Sequence, residues 1–169
     1  MKNQIHTSHH KTKIGELLIA SFEGKICILD FAYRKMRKTV DGRVKKLLNA
    51  DFIEQEDEVI AEAKKQIDEY LSGERKEFSV PILLAGTAFQ QQVWKALLQV
   101  EYGKTASYLD LAKSINNPKA VRAVASANGA NAIAIIVPCH RIIETGGGLG
   151  GYGGGVPVKK RLLKLEREF

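Results

Sequence analysis

The stretch that decides the fold of the second half of the chain covers residues 107–129 and reads SYLDLAKSINNPKAVRAVASANG. Ser107 with Asp110 three residues later is typical of a capping box, which predicts the start of a helix. Asn116-Asn117 ends that helix, and we expect Pro118 to take the first position of a second helix that ends with the quoted stretch. Two short helices joined by a tight turn suggest a helix-turn-helix.

The outer face of the second helix carries few groups that could read bases. Lys119, Arg122, Ala123 and Ser126 share this face by their spacing, whereas a reader of the major groove presents Arg, Asn or Gln at several positions. The pattern therefore favours close docking that is largely independent of DNA sequence. Residues 80–169 also hold 11 basic and 5 acidic side chains, which favours a polyanionic partner.

The first half of the chain predicts a small α+β domain. Residues 14–22 and 25–31 are β-prone and flank Glu23-Gly24, which indicates a hairpin. Apolar residues recur at helical spacing over residues 58–71, which predicts an amphipathic helix. The histidine-bearing segment of residues 1–13 is interpreted as a flexible tail.

A second feature is the segment IAIIVPCHR at residues 133–141. A thiol next to an imidazole and a guanidinium lies in an electropositive setting that favours the nucleophilic thiolate. If the segment is a strand, Cys139 and His140 point to opposite sides, so a proton relay between them needs a bridging water or an irregular backbone. The nearby carboxylates that could orient the imidazole are Glu144, Glu166 and Glu168.

A metal site is the competing interpretation of Cys-His. Zinc is normally held by four ligands in paired spacings, and Cys139-His140 has no such partner pair. A site built from Cys27 and the N-terminal histidines is disfavoured, because Cys27 lies between two isoleucines and is interpreted as a core residue. We expect neither a metal nor a cofactor.

The run GGGLGGYGGG at residues 146–155 matches no phosphate-binding fingerprint. It could be a mobile surface loop, or a lid that lets a flat ligand approach the backbone, with Tyr152 as its aromatic residue. Pro157 then starts a last helix.

Composition excludes several classes of protein. The chain has 169 residues, a formal net charge of +7, 44% hydrophobic and 27% charged residues, which is ordinary globular composition. No apolar run approaches the length of a membrane span, and the N-terminus lacks the apolar stretch of a secretory signal. The predicted compartment is the cytoplasm, near the nucleoid, or the nucleus in a eukaryote, with both cysteines reduced.

Residues 86–143, followed by GGYGGG and KKRLLKLE, resemble the O6-alkylguanine-DNA alkyltransferases, also called methylated-DNA–protein-cysteine methyltransferases. The resemblance covers about half the chain, and VPCHRII is its most specific part. It implies transfer of an alkyl group from O6 of guanine, and from O4 of thymine, in double-stranded DNA to a cysteine. Each molecule would react once.

The resemblance also implies roles for individual residues. Cys139 would accept the alkyl group, His140 would act on its thiol through water, and Glu166 would hold the imidazole. Asn131 would brace the active-site turn. Tyr108 would stand beside the phosphate as the nucleotide rotates out and would protonate the leaving guanine.

Further residues would bind the DNA and the alkyl group. Arg122 would fill the space that the base leaves in the stack, with the helix-turn-helix in the minor groove. The DNA-contacting set is Arg122, Tyr108, Lys119, Ala123 and Ser126, and the pocket set is Tyr152, Gly153, Val137 and Pro138. Gly153 stands where the family often has serine, so a possible hydroxyl donor is missing.

The expected fold class is α+β. We expect residues 1–79 to form an α+β domain with an antiparallel sheet, which the resemblance implies is ribonuclease-H-like. We expect residues 80–169 to form a mostly helical domain with a winged helix-turn-helix that binds DNA and carries the chemistry. We expect a monomer that does not bind membranes. The alternatives are a DNA-binding damage sensor without repair activity, a helix-turn-helix transcriptional regulator, and a cysteine hydrolase.

Overall fold

The structure is a computed structural model that describes residues 2–169, so Met1 of the predicted tail and domain lies outside it. The chain divides into two compact units, one ending at Gly86 and one covering Thr87–Phe169. The sequence predicts this boundary before Val80. In the structure, Ile26 N donates to Pro81 O at 2.9 Å and Leu83 N donates to Ile26 O at 2.8 Å, which joins this segment to the first unit.

The first unit is a four-stranded sheet with two helices. Its elements in chain order are β1 Asn3–Thr12, β2 Gly15–Phe22, β3 Lys25–Phe31, α1 Arg37–Leu48, β4 Ala50–Glu54 and α2 Glu58–Leu71. The strand order is β3-β2-β1-β4.

The predicted hairpin is confirmed, and the sheet is antiparallel through three of its strands. Glu23 and Gly24 both have positive φ (50° and 78°), as a two-residue type I′ turn requires. β4 is parallel to β1, because α1 and its flanking loops carry the chain back across the sheet. The sheet is therefore mixed.

The flexible tail was a wrong interpretation. Residues 3–12 form β1, which lies between β2 and β4. Its polar side chains have partners on and just before α2: His6 Nδ1 lies 2.8 Å from Asp57 Oδ2, and His10 Nε2 lies 2.8 Å from Asp68 Oδ1. Ile5 is fully buried. The polar composition reflects these pairs rather than disorder.

The helix predicted over residues 58–71 is confirmed as α2. The Asp57 side chain caps it by accepting a hydrogen bond from Ile60 N at 2.9 Å. Its buried face is Ile60, Ala63, Gln66, Ile67 and Tyr70. Cys27 is also fully buried, and burial raises the pKa of its thiol to about 12, so Cys27 stays a protonated core residue.

The second unit is mostly helical. Its elements are α3 Ala88–Leu97, β5 Ala106–Ser107, α4 Tyr108–Ser114, α5 Val121–Gly129, a single 3₁₀ turn at Cys139–Arg141, β6 Ile142–Ile143 and α6 Val156–Glu168. β5 and β6 pair in parallel; β5 precedes α4, so this pair is not the hairpin after α5 that a wing requires.

The helix-turn-helix is α4 and α5, and both pack against α3. The capping box of Ser107 and Asp110 is present in both directions. Trp94 of α3 anchors the C-terminal end of α5 by donating from Nε1 to Ala127 O at 2.8 Å. Pro118 is not the first residue of α5: it and Lys119 lie in a turn, and Ala120 precedes the helix.

Candidate active site

Cys139 begins a short 3₁₀ turn and is 8% exposed. Two tight turns lead into it. Ile136 N donates to Ala134 O at 2.8 Å around Ile135, whose φ is +72°. Cys139 N donates to Val137 O at 2.8 Å around Pro138, whose φ of −81° and ψ of 63° define an inverse γ-turn. The backbone at Cys139 is therefore irregular rather than the strand considered in the sequence analysis.

Asn131 braces these turns from inside. It is buried, and its Nδ2 donates to Ile133 O at 3.2 Å and to Val137 O at 2.9 Å, while its Oδ1 accepts from Ile133 N at 3.0 Å. A β-branched residue such as Ile135 at positive φ is strained by about 1–3 kcal/mol. The three bonds of Asn131 hold the segment that contains this strain.

His140 points into the interior, where it meets a carboxylate from α6. It is fully buried, and its Nε2 lies 2.7 Å from Glu166 Oε2. Complete burial lowers the pKa of His140, although the hydrogen bond and charge of Glu166 oppose that shift. Since a carboxylate only accepts, the neutral ring carries its proton on Nε2. Nδ1 then presents a lone pair, and it has no hydrogen-bond partner within residues 2–169.

Arg141 compensates the charge of Glu166. Its Nε donates to Glu166 Oε1 at 2.8 Å and its Nη2 donates to Oε2 at 3.0 Å, while Nη1 donates to Val100 O at 2.7 Å. Gly103 N also donates to Oε1, at 3.2 Å. Glu166 therefore accepts four N–H groups in a site where it is almost completely buried, which fixes its position relative to His140.

Tyr108 is the first residue of α4 and is half-buried. Burial raises the pKa of its phenol, and the charges of Cys139 and Glu144 raise it further. The phenol consequently stays protonated at neutral pH and is a hydrogen-bond donor. A Cβ on Gly150 would lie 3.0 Å from its hydroxyl, so Tyr108 packs against the glycine-rich segment that follows Cys139.

The outer face of α5 is solvent-exposed. Arg122, Ala123 and Ser126 are all exposed there, whereas Val124 on the opposite side is fully buried. Lys119 is exposed too, but it precedes α5 and does not share the helical face that its spacing suggested. The surface consists of small side chains with one long cation.

Two family models match the chain. Residues 88–168 match the DNA binding domain of 6-O-methylguanine DNA methyltransferase, and residues 5–84 match its ribonuclease-like domain. The chain belongs to the 6-O-methylguanine DNA methyltransferase family. This confirms the resemblance that the sequence showed, and the ribonuclease-like nature of the first unit.

Relatives of this family align over most of the chain. A methylated-DNA–protein-cysteine methyltransferase of Methanosarcina acetivorans is 42% identical over 92% of this chain and 94% of its own length. The constitutive enzyme of Bacillus subtilis is 43% identical over 93% and 92%. The crystal structure of Mycobacterium tuberculosis OGT in complex with DNA superposes with a TM-score of 0.81 at 39% identity, covering 98% of this chain and 93% of that one.

The residues predicted for the alkyl pocket of the methyltransferase lie on both sides of His140 in the sequence. Val137 and Pro138 are buried in the turn before Cys139, and Tyr152 and Gly153 are partly buried in the glycine-rich segment. The Tyr152 ring meets the His140 ring edge-on, with centroids 6.5 Å apart. The sequence left open whether the glycine-rich segment is a mobile surface loop or a lid beside a ligand. Its placement against His140 favours a loop that borders the site.

Lys159 of the methyltransferase was missed by the sequence analysis. It is fully buried, and its Nζ donates to Ile142 O at 2.6 Å, to Leu149 O, and to Gly151 O at 3.4 Å. Burial lowers its pKa, while the charges of Cys139 and Glu144 oppose the shift. Its position in the sequence could have indicated that it is buried, because Lys159 shares a face of α6 with the buried Leu162 and Glu166, three and seven residues further on.

Two kinds of feature are absent from residues 2–169 of the methyltransferase. No group of three or more His, Cys, Asp or Glu side chains in this part of the chain is arranged to hold a metal ion. None of its helices is long and apolar enough to cross a membrane.

Proposed function

We propose that this methyltransferase repairs DNA directly, by transferring the alkyl group from O6 of guanine, or O4 of thymine, to Sγ of Cys139. The proposal rests on the buried pair of His140 and Glu166, whose Nε2 and Oε2 atoms are 2.7 Å apart. His140 directly follows Cys139, which lies at the end of an irregular turn. A thiol next to a neutral imidazole that a carboxylate orients is an arrangement that generates a nucleophile.

Each side chain of the site has its own role in the proposed reaction. Nδ1 of His140 takes the thiol proton through one water, and Glu166 stabilises the resulting imidazolium. The Cys139 thiolate attacks the alkyl carbon, the bond between that carbon and O6 breaks, and the bonding pair stays with guanine. Tyr108 donates a proton to the leaving base. Asn131 keeps the nucleophile in line by holding the turn that carries it.

The product explains why each molecule acts once. A thioether on Cys139 has no tendency to leave toward water, and the mechanism contains no group that regenerates the thiol. The methyltransferase is therefore consumed in proportion to the lesions that it repairs, and no cofactor takes part.

The second unit also binds the substrate duplex. Alkylated O6 is unreachable inside the base stack, so the nucleotide rotates out at a cost of a few kcal/mol. Small residues Ala123 and Ser126 allow α5 to approach the minor groove closely, Lys119 contacts phosphate, and Arg122 enters the stack and offsets that cost. The extruded base enters the pocket bordered by Val137, Pro138, Tyr152 and Gly153.

We assign the remaining properties by the same reasoning. The first unit has a structural role, and the second unit carries DNA binding and catalysis. The methyltransferase acts as a monomer in the compartment that holds its DNA: the cytoplasm, or the nucleus in a eukaryote.

The test is mass spectrometry after incubation with a duplex that contains one O6-methylguanine. We expect a gain of one CH2 unit on the tryptic peptide from Ala123 to Arg141, saturating at one per molecule. Cys139→Ala should abolish the gain and keep DNA binding, whereas the matched control Cys27→Ala should retain it. Tight duplex binding without any gain would refute the repair function and leave a damage sensor or regulator. Repeated turnover would indicate a hydrolase.

A further inference from the structure

Glu144 lies where the active-site segment passes into the glycine-rich loop, and its side chain folds back over that loop. Glu144 N donates to Gly148 O at 2.8 Å, and Gly147 N donates to Glu144 O at 2.9 Å. A Cβ on Gly148 would lie 2.6 Å from Glu144 Oε1, and one on Gly150 would lie 3.5 Å from Glu144 Cγ. The carboxylate is thus packed against the loop that borders the alkyl pocket.

The same loop position brings Glu144 next to Tyr108. A Cβ on Gly150 would lie 3.0 Å from the Tyr108 hydroxyl, so Tyr108 and Glu144 approach each other over this glycine. Tyr108 and the buried Lys159 each interact electrostatically with both Cys139 and Glu144. The charge of Glu144 therefore acts on Tyr108 and Lys159, which are also the two groups on which the charge of the nucleophile Cys139 acts.

No direct partner neutralises this carboxylate. Glu144 is exposed, and within residues 2–169 it makes neither a side-chain hydrogen bond nor an ion pair. Of the cations nearby, Arg141 is bonded to Glu166 at 2.8 Å, whereas the ammonium of Lys159 attracts Glu144 electrostatically but donates its hydrogen bonds to three backbone carbonyls. A substrate group entering beside Tyr108 consequently meets the negative charge of a carboxylate to which no cation is directly bonded.

We propose that Glu144 determines which O6 substituents the methyltransferase accepts, by disfavouring those that carry a negative charge. The inference rests on the proposed function. In the affected reaction, the Cys139 sulfur bonds to the CH2 carbon of a carboxymethyl group, the bond from that carbon to O6 breaks, and guanine keeps the electron pair and gains a proton. The carboxylate of the transferred group would then lie close to Glu144.

The size of the effect follows from Coulomb's law. Two unit charges about 7 Å apart, at an effective dielectric between that of bulk water and half that value, repel each other enough to change a rate about three- to sevenfold. Dissolved salt screens such a pair, because the Debye length is about 10 Å at 0.1 M and about 3 Å at 1 M.

The experiment compares two duplexes that differ only in the lesion, O6-methylguanine or O6-carboxymethylguanine, and measures the rate of a single transfer from each. The ratio of the two rates removes the effect of general DNA affinity. We expect Glu144→Gln to raise the carboxymethyl-to-methyl ratio about three- to sevenfold, and Glu144→Lys to raise it further. Added salt should raise the wild-type ratio and leave that of Glu144→Gln unchanged.

The matched control is Glu101→Gln, which removes one negative charge from an exposed position of the same unit outside the glycine-rich loop. Its ratio should equal that of the wild type. An unchanged ratio in both Glu144 variants, or an equal rise in the control, would overturn the proposal. Failure of wild-type methyl transfer would instead refute the proposed function, so the two failures are distinguishable.

Discussion

Replacing Glu166 with glutamine tests the centre of the site. Each carboxylate oxygen accepts two N–H groups: Oε1 from Arg141 Nε and Gly103 N, and Oε2 from His140 Nε2 and Arg141 Nη2. A glutamine has only one oxygen, so whichever way its amide is placed, its NH2 faces two donors. If the remaining oxygen keeps the bond to His140 Nε2, the bonds from Arg141 Nε and Gly103 N are lost. If it keeps those two bonds, the bond to His140 is lost.

The expected loss of stability in Glu166→Gln follows from the burial of the Glu166–Arg141 pair. Glu166 and Arg141 have side chains that are 1% and 8% exposed, and removal of one partner of a buried pair costs about 3–5 kcal/mol. For a chain of this length the melting temperature should fall by about 10 °C. Loss of an oriented general base should slow transfer about a hundredfold, at the lower end of what such groups contribute.

The assay measures the effect of Glu166→Gln on stability separately from its effect on the transfer rate. The free energy of unfolding comes from urea titration, and the transfer rate is measured with excess O6-methylguanine duplex at a temperature where the variant is folded. Glu168→Gln, an exposed position on the same helix, is the control and should change neither quantity appreciably. A folded Glu166→Gln protein that transfers within twofold of the wild-type rate would refute the role of the His140–Glu166 pair.

Three further predictions concern other parts of the site. Because burial lowers the pKa of His140 below its ordinary 6.5, the transfer rate should stay constant as the pH falls through 6.5 and decline only at lower pH; a decline centred at 6.5 would contradict the lowered pKa. The free energy of unfolding should already fall as the pH drops from about 6.5, the ordinary pKa of histidine, to the lowered pKa of His140 in the folded chain, since over that interval the unfolded chain binds a proton that the folded chain does not. Lys159→Met should increase hydrogen exchange of the amides in residues 145–155 about tenfold, and an unchanged exchange pattern would show that Lys159 does not hold this loop. Arg122→Ala should slow repair of duplex DNA about tenfold while the reaction with free O6-benzylguanine is unchanged, if insertion offsets part of the extrusion cost; equal losses on both substrates would rule out insertion.

Features that depend on a few consecutive residues were predictable from the sequence. The I′ turn at Glu23-Gly24, the α2 helix and the capping box of Ser107 and Asp110 are encoded locally, and the structure has all three. The cysteine segment was recognisable because its residues are contiguous. Such features need no knowledge of distant partners.

Features that depend on distant partners were not predictable. The polar side chains of β1 indicated a tail because their partners, Asp57 and Asp68, lie about 50 residues away in the chain. The burial of Lys159 depends on carbonyls of a loop that precedes it. In each case, the decisive contact is tertiary.

The way in which Lys159 holds the glycine-rich loop bears on how the pocket can evolve. Its ammonium contacts only backbone carbonyls there, those of Leu149 and Gly151, and every amino acid supplies that oxygen. A Cβ at Gly146 or Gly151 would meet nothing within 4 Å, whereas Gly147 and Gly150 have positive φ and resist replacement. The loop can therefore accumulate substitutions at its open positions without losing its anchor, which makes it a suitable segment for laboratory selection of variants that accept new substituents.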